Sequence, residues 1–326
     1  MAKNFLVKGE FECLESPRLS SVLERYSDSD QNFQICEHVS GIGKIEKVND
    51  LPLLIFHSEG DSKYIDIDYF EKQGTVLHCN AKLKDGKFFN YWAYDYLTHI
   101  KEWGVKINQK NSFVPKFLCL NGRPDWHRYY TLQRLMDTKL LGQGLVSFLN
   151  RYDQLGNDIY YQEFKDRYKN PTHAIDAMRE NKNNLVLDRS NREIHKNDRL
   201  HDSWIYEQTS ISLVTETYPE AKRGLFITEK TWKPIANSHF AIYIGQPGTL
   251  EFLRGLGFDT FDDILDNEYD EIQDDLSRFE SAYESLSKYL TSIENLDKDK
   301  IQKRLTDNQE KYLSMRIDQR QIDEWV

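Results

Sequence analysis

The sequence has no apolar run approaching the roughly 20 residues that cross a bilayer, and its start, MAKNFLVKGEFECLE, lacks the apolar core of a signal peptide. The expectation is a cytoplasmic protein with no membrane span, placed in the host cytoplasm if the chain is viral. Cysteine is scarce: Cys13, Cys36, Cys79 and Cys119 stand far apart with no C-x-x-C pair, which argues against a zinc ribbon and gives no disulfide framework. Also missing are G-x-x-x-x-G-K-[ST], H-E-x-x-H and G-x-S-x-G, which excludes the common P-loop, helix-borne zinc and serine-elbow chemistries. Gly41-Ile42-Gly43 and Gly142-Gln143-Gly144 lack the third glycine and the strand context of a dinucleotide fingerprint. Positive charge is in deficit, with 43 Lys and Arg against 53 Asp and Glu and a formal net charge of −10, which opposes non-specific attraction to nucleic acid. No internal repeat or low-complexity segment is visible.

What is present is an ordinary globular composition. A length of 326 residues favours two domains, and 39% hydrophobic residues is enough for their cores. Aromatic residues make up 13%, which suits carbohydrate stacking and suits a core equally.

Along the chain, Pro17, Leu19, Val22, Leu23 and Tyr26 fall at helical spacing and predict a short amphipathic helix. Leu51 to Phe56 is a near-continuous apolar run of the kind buried on both faces of a parallel sheet. It delivers His57, Ser58, Glu59, Gly60 and Asp61 to a strand end. Tyr64 to Phe70 alternates, placing Asp66 and Asp68 on a wet face rather than at a metal, and Thr75 to Cys79 predicts a further strand. Ala93, Tyr96, Leu97, Ile100 and Trp103 predict a helix closed by Gly104.

The polar run from Asn108 to Ser112 marks a domain boundary. Val114 to Leu120 then predicts a strand, Asn121-Gly122-Arg123-Pro124-Asp125 a turn, and Leu132, Leu135 and Met136 the buried face of a helix closed by Gly142. Val146 to Leu149 and Ile211 to Thr215 read as strands, separated by a polar, Asn-rich stretch from Arg151 to Asp202 that is expected to be an irregular excursion or a helical insertion. Leu250, Leu253 and Leu256 belong to a short helix ended by Gly257. Leu276, Phe279, Tyr283, Leu286 and Leu290 mark a long amphipathic helix, and a last helix runs from Ile301 towards Val326.

The centre of the chain is LFITEKTWKPIANSHFAIYIGQPG, Leu225 to Gly248: an apolar strand, Thr-Glu-Lys, a helix, and an apolar strand from His239 to Ile244 stopping at Gly245 and Pro247. A turn leaving a strand and opening a helix is where α/β proteins bind ligands, and the helix N-terminus attracts phosphate. Thr228 is the cap, Glu229 an acceptor for vicinal hydroxyls, and Lys230 a charge for a diphosphate. A cation there faces the helix dipole unfavourably, which points to a bound anion.

This pattern resembles the donor-binding motif of fucosyltransferase-like glycosyltransferases of the two-domain GT-B type. Phrases such as FITEKTWKPIANSH and LRGLGFDTFDDI are also similar to glycosyltransferase-like chains of bacteriophage genomes. The resemblance spans Phe117 to about Asp270, and only the T-E-K block is specific. It implies that Asn121 and Arg128 match the family's Asn and Arg after the first donor-domain strand, with Arg123 beside them, and that Glu216 in SLVTET matches a Glu that contacts donor or caps. A guanidinium fork fits a diphosphate, although each Arg reads equally as a solvated helix residue. Trp232 and Tyr243 are candidates to stack on a base, with core packing the commoner use.

The expectation is therefore an α/β fold of two Rossmann-like domains facing across a cleft. Residues 1–110 are the acceptor side, 111–300 the nucleotide-sugar side, and 301–326 a helix packing back on the first domain. The function expected is transfer of a sugar from a UDP- or GDP-linked donor to a hydroxyl, with inversion and without a metal or bound cofactor. Glu59 or Asp61 is the general base, with His57 a competitor. The acceptor is a glycan, a protein or a modified DNA base; for DNA, Lys106, Lys110 and Lys116 with Lys165, Arg167 and Lys169 are the basic clusters on offer. The alternative is a non-catalytic nucleotide- or sugar-binding or virion-associated protein keeping a transferase-like fold.

Overall fold

A computed structural model describes residues 90–102, 104–122, 124–148, 159–168, 175–176, 185, 203–221 and 225–316, and the backbone of five strands before them. Those strands are β1 (Gln34–His38), β2 (Leu53–His57), β3 (Val76–Cys79), β4 (Ala81–Lys82) and β5 (Lys87–Phe89). β1, β2, β3 and β5 lie side by side in that order as a parallel sheet. The apolar run expected as a strand from Leu51 to Phe56 is thus the second strand, starting two residues later and ending one residue later. Residue 90 opens α1 (Tyr91–Glu102): the Asn90 side-chain oxygen accepts from the Ala93 amide at 2.9 Å, and Gly104 beyond the helix takes φ +66°.

The second sheet is built from β6 (Phe117–Asn121), β7 (Gly144–Phe148), β8 (Ile211–Thr215) and β10 (Phe240–Ile244). Between and after them run α2 (Trp126–Asp137), α3 (Ile159–Arg167), α4 (Trp204–Glu207), β9 (Leu225–Phe226), α5 (Glu229–Ala236), α6 (Thr249–Gly255), α7 (Asp275–Ser292) and α8 (Lys298–Leu313). All pairings in this sheet are parallel, in the order β10-β8-β6-β7. Every residue of β8 is buried, as a strand covered on both faces should be, with the hydroxyls of Ser212 and Thr215 hydrogen-bonded. α7 lays Phe279, Tyr283, Leu286 and Leu290 into the core at steps of three and four. The fold is α/β, with four-stranded parallel sheets and helices.

Several expectations are corrected. Leu225 to Ile227 is not a strand of the main sheet: β9 is two residues long and pairs antiparallel with β4, Ala81 opposite Phe226 and Lys82 opposite Leu225. β8 already fills the place between β6 and β10, and Ile227 is buried by side-chain packing rather than by a ladder. α2 stops at Asp137, with Lys139 at φ +60° as the left-handed residue, so Gly142 falls in a separate 3-10 turn. β6 starts at Phe117, three residues late: Pro115 has no amide to give a ladder, and the Lys116 amide turns back to the Val114 carbonyl at 2.7 Å. In the stretch after β7, by contrast, the helical alternative is met by α3, and Leu185 forms an antiparallel bridge to Phe148.

The polar run from Asn108 to Ser112 is stitched into the fold. The Asn111 amide donates to the carbonyls of Ser210 (2.7 Å) and Ser238 (2.9 Å), and Gln309 on α8 donates to the carbonyl of Asn108 (2.7 Å). α8 also meets α1 and α5: the Tyr312 hydroxyl donates to the Ala93 carbonyl at 2.7 Å, and its ring stacks on Trp232 at 5.3 Å. The expected helix at Pro17 to Tyr26 and the alternating segment Tyr64 to Phe70 lie outside the described residues. So does the chain beyond residue 316, where the expected last helix was to continue.

Candidate functional site

Counted within their own sheet, the four strands of β6, β7, β8 and β10 run in the order 2-1-3-4, so the chain reverses direction of growth between β6 and β8. Carboxyl ends of strands at such a reversal form a crevice. Here they are Asn121, ending β6, and Thr215 and Glu216, ending β8. The ladder between these strands pairs Phe117 with Ile211 and Leu118 with Ser212, and further along the Thr215 hydroxyl donates to Asn121 Oδ1 at 2.6 Å. The Asn121 amide donates in turn to Cys119 Sγ at 3.3 Å. Burial pushes that thiol up to about 12, against the opposing pull of Asn121 and the Arg128 charge.

Opposite this edge α2 begins, capped by Asp125, whose carboxylate accepts the Trp126 amide at 2.9 Å. Burial raises the Asp125 pKa, but the nearby His127 and Arg128 and the amide bond outweigh it and hold the group below its usual value. Arg128 is buried in this first turn. His127 donates from Nε2 to the backbone carbonyl of Glu216 at 2.8 Å, which ties α2 to the end of β8.

Thr228 has extended backbone (φ −103°, ψ −176°), and its hydroxyl accepts the Lys230 amide, so it caps α5 as expected from its place before Glu and Lys. Glu216, 1% exposed, reaches across to this cap. Its Oε2 accepts the Thr228 hydroxyl at 2.6 Å and the Thr217 amide at 3.2 Å. Its Oε1 accepts the Thr231 hydroxyl at 2.6 Å and the Thr228 amide at 3.4 Å. The Lys230 ammonium lies against three oxygens, Thr217 Oγ1 (3.3 Å), Thr228 Oγ1 (3.2 Å) and Glu229 Oε1 (3.2 Å), with a quarter of its side chain exposed. The unfavourable dipole at a helix start is therefore met by a carboxylate within the protein.

The segment just before Thr228 is held from the other sheet. Asn90 donates to the Ile227 carbonyl at 3.0 Å and accepts the Trp232 indole at 3.1 Å. β4 grips β9 one residue earlier.

Of the residues singled out in the sequence, Asn121, Arg128, Glu216, Thr228, Glu229 and Lys230 come together at this edge. Glu59, Asp61 and Arg123 lie outside the described residues, as do Asp66 and Asp68. Trp232 and Tyr243 are core residues, Trp232 packed by Tyr312 and Phe258. Lys106, Lys110 and Lys116 are exposed, whereas Arg167 stacks over Trp126 at 4.0 Å. Sequence reasoning passed over His127, Asn90, Thr217 and Thr231, because each acts on a partner many residues away. Among the described residues no group of three or more His, Cys, Asp or Glu could hold a metal ion, and no helix is long and apolar enough to cross a membrane. Set against family models, curated proteins and solved structures, the chain matches none.

Proposed function

We propose that this protein is a glycosyltransferase that moves a sugar from a UDP- or GDP-linked donor to a hydroxyl acceptor, with inversion and without a metal. In this reading the two parallel sheets belong to two Rossmann-like domains facing across a cleft, in the GT-B manner. The acceptor is a glycan, a protein or a modified DNA base. The observation that carries the proposal is convergence: residues 121, 128, 216 and 228–230, which carry donor-site chemistry in the sequence, come from separate stretches. They meet at the carboxyl edge of the second sheet, where its strand order reverses and open α/β sheets bind nucleotides.

The division of labour follows from charge. Lys230 and Arg128, with Arg123, neutralise the leaving diphosphate, Asn121 orients the donor, and Glu229 accepts from ribose hydroxyls. Glu59 or Asp61 takes the acceptor proton, so the C–O bond to the leaving diphosphate breaks as the acceptor oxygen bonds to the sugar.

A second reading has its own support. The Glu216 carboxylate and the Lys230 ammonium find all their partners inside the protein, as they would in a non-catalytic nucleotide- or sugar-binding or virion-associated protein that keeps the fold. Thermal unfolding against UDP-, GDP-, CMP- and dTDP-linked sugars tests the donor site. A donor at about a hundred times its Kd stabilises the native state by roughly 2.7 kcal/mol, and Lys230→Ala should sharply reduce the response while leaving weaker binding measurable at higher donor concentration. No shift with any nucleotide refutes the donor site. A shift without release of nucleoside diphosphate, across acceptors of all three classes, favours the second reading.

A further inference from the structure

In sequence Glu216 matches a Glu that contacts donor or caps, and its surroundings place it at the cap. Both carboxylate oxygens are engaged, and all four donors come from the protein: the hydroxyls of Thr228 and Thr231 at 2.6 Å and the amides of Thr217 and Thr228. The side chain is buried against the first turn of α5. Thr231 is fully buried too, and its hydroxyl sits one turn into α5. Thr228 joins the two halves of the arrangement: its hydroxyl proton goes to Glu216, which leaves its lone pairs for the amide and the ammonium of Lys230.

We infer that Glu216 and Thr231 are positioning residues, a buried carboxylate and hydroxyl that fix the rotor of Thr228 and through it hold the Lys230 ammonium at the crevice. Without the carboxylate, the Thr228 hydroxyl proton loses its fixed acceptor, so its lone pairs are no longer aimed at Lys230 and the ammonium loses the set direction of one of its three acceptors. Glu216 then contributes to donor binding only through Lys230, so its role at the site rests on the donor reading above, while its hold on Lys230 does not.

The test reads both parts separately. Trace acetylation with acetic anhydride, followed by peptide mass spectrometry, measures the reactivity of each lysine without any ligand. In Glu216→Gln and Thr231→Val, Lys230 should react about tenfold faster, the equivalent of about 1.4 kcal/mol of lost orientation. Buried Lys233 in the next turn and exposed Lys288 should be unchanged. Equal rises at Lys230 and Lys233 would mean that α5 has loosened and would overturn the inference, as would no rise at Lys230. Thr231→Val removes a single hydroxyl at nearly constant shape and decides the matter if Glu216→Gln does not fold.

A double-mutant cycle gives the functional half, with binding of the stabilising nucleotide sugar measured by calorimetry. Glu216→Gln should weaken binding about tenfold in the wild-type background and not at all in Lys230→Ala. Additive losses would show that Glu216 touches the donor itself. If no nucleotide binds the wild type, the donor reading falls and the labelling result still decides whether Lys230 is held by Glu216.

Discussion

Arg278 offers the most exacting stability test, because every donor of its guanidinium has a separate address. Nε donates to the Gly245 carbonyl at 2.9 Å, Nη1 to Ile272 (2.8 Å) and Gln273 (3.3 Å), and Nη2 to Pro219 (2.6 Å) and Asp275 Oδ1 (2.6 Å). That is five bonds for five N–H groups, on a side chain 1% exposed. Pro219 and Gly245 belong to the turns that follow β8 and β10, so one residue of α7 ties together two loops at the carboxyl edge. In Arg278→Met the carboxylate of Asp275 and the carbonyls of Ile272 and Gln273 regain water, being only partly buried. The Gly245 and Pro219 carbonyls do not. Each buried acceptor left unpaired costs about 1–3 kcal/mol, so a loss of about 4 kcal/mol is expected.

Urea unfolding followed by tryptophan fluorescence reads this directly. With an m-value of about 3 kcal/mol/M the midpoint should fall by about 1.3 M at unchanged m. Arg278→Lys should recover less than half of the loss, since an ammonium cannot reach carbonyls on three sides of a planar fork. A loss under about 1 kcal/mol for Arg278→Met, or full rescue by Lys, would refute the claim that the fork geometry holds these loops.

Other expectations are as direct. A Cβ on Gly144 would fall 2.3 Å from the fully buried Phe117 ring, so Gly144→Ala should cost about 1–3 kcal/mol in urea unfolding, with recovery when combined with Phe117→Leu. Trp232→Phe keeps the ring stack but removes the indole donor to Asn90, and should cost about 1–2 kcal/mol; no change would deny that bond any role. His239 donates from Nε2 to the Tyr206 carbonyl and accepts the Ser212 hydroxyl on Nδ1, and burial lowers its pKa from 6.5 to about 4. The unfolded chain therefore binds the proton first, so stability is full above pH 6.5 and falls by about 3 kcal/mol as pH drops towards 4. His239→Gln should lack that part of the slope when stability is compared across the same pH range.

The sequence made legible whatever is decided within one element. The apolar runs that became β2, β3, β8 and β10 are read within the run itself, and those of β8 and β10 are buried as such runs should be; the cap at Thr228 and the glycine after α6 are signalled by neighbours in the chain. What was not legible depends on partners that no local period encodes. The apolar stretch at Leu225 reads as a strand, yet its pairing with Ala81 and Lys82 spans more than half the length of the described fold. Asn90 meets Ile227 across 137 residues, and Arg278 meets Pro219 across 59. The candidate site divides along the same line. Thr228, Glu229 and Lys230 could be picked out because the motif is contiguous, whereas Thr231 could not, since its value lies in a bond to Glu216 at the end of another strand. The Lys230 cation at a helix start does not by itself call for a bound anion, since Glu229 with two threonine hydroxyls supplies its partners internally. The donor reading then stands on where these residues converge in the topology, and a nucleotide must displace at least one of Lys230's three oxygens to bind there. Lys230→Ala should consequently cost less stability than it costs in donor affinity.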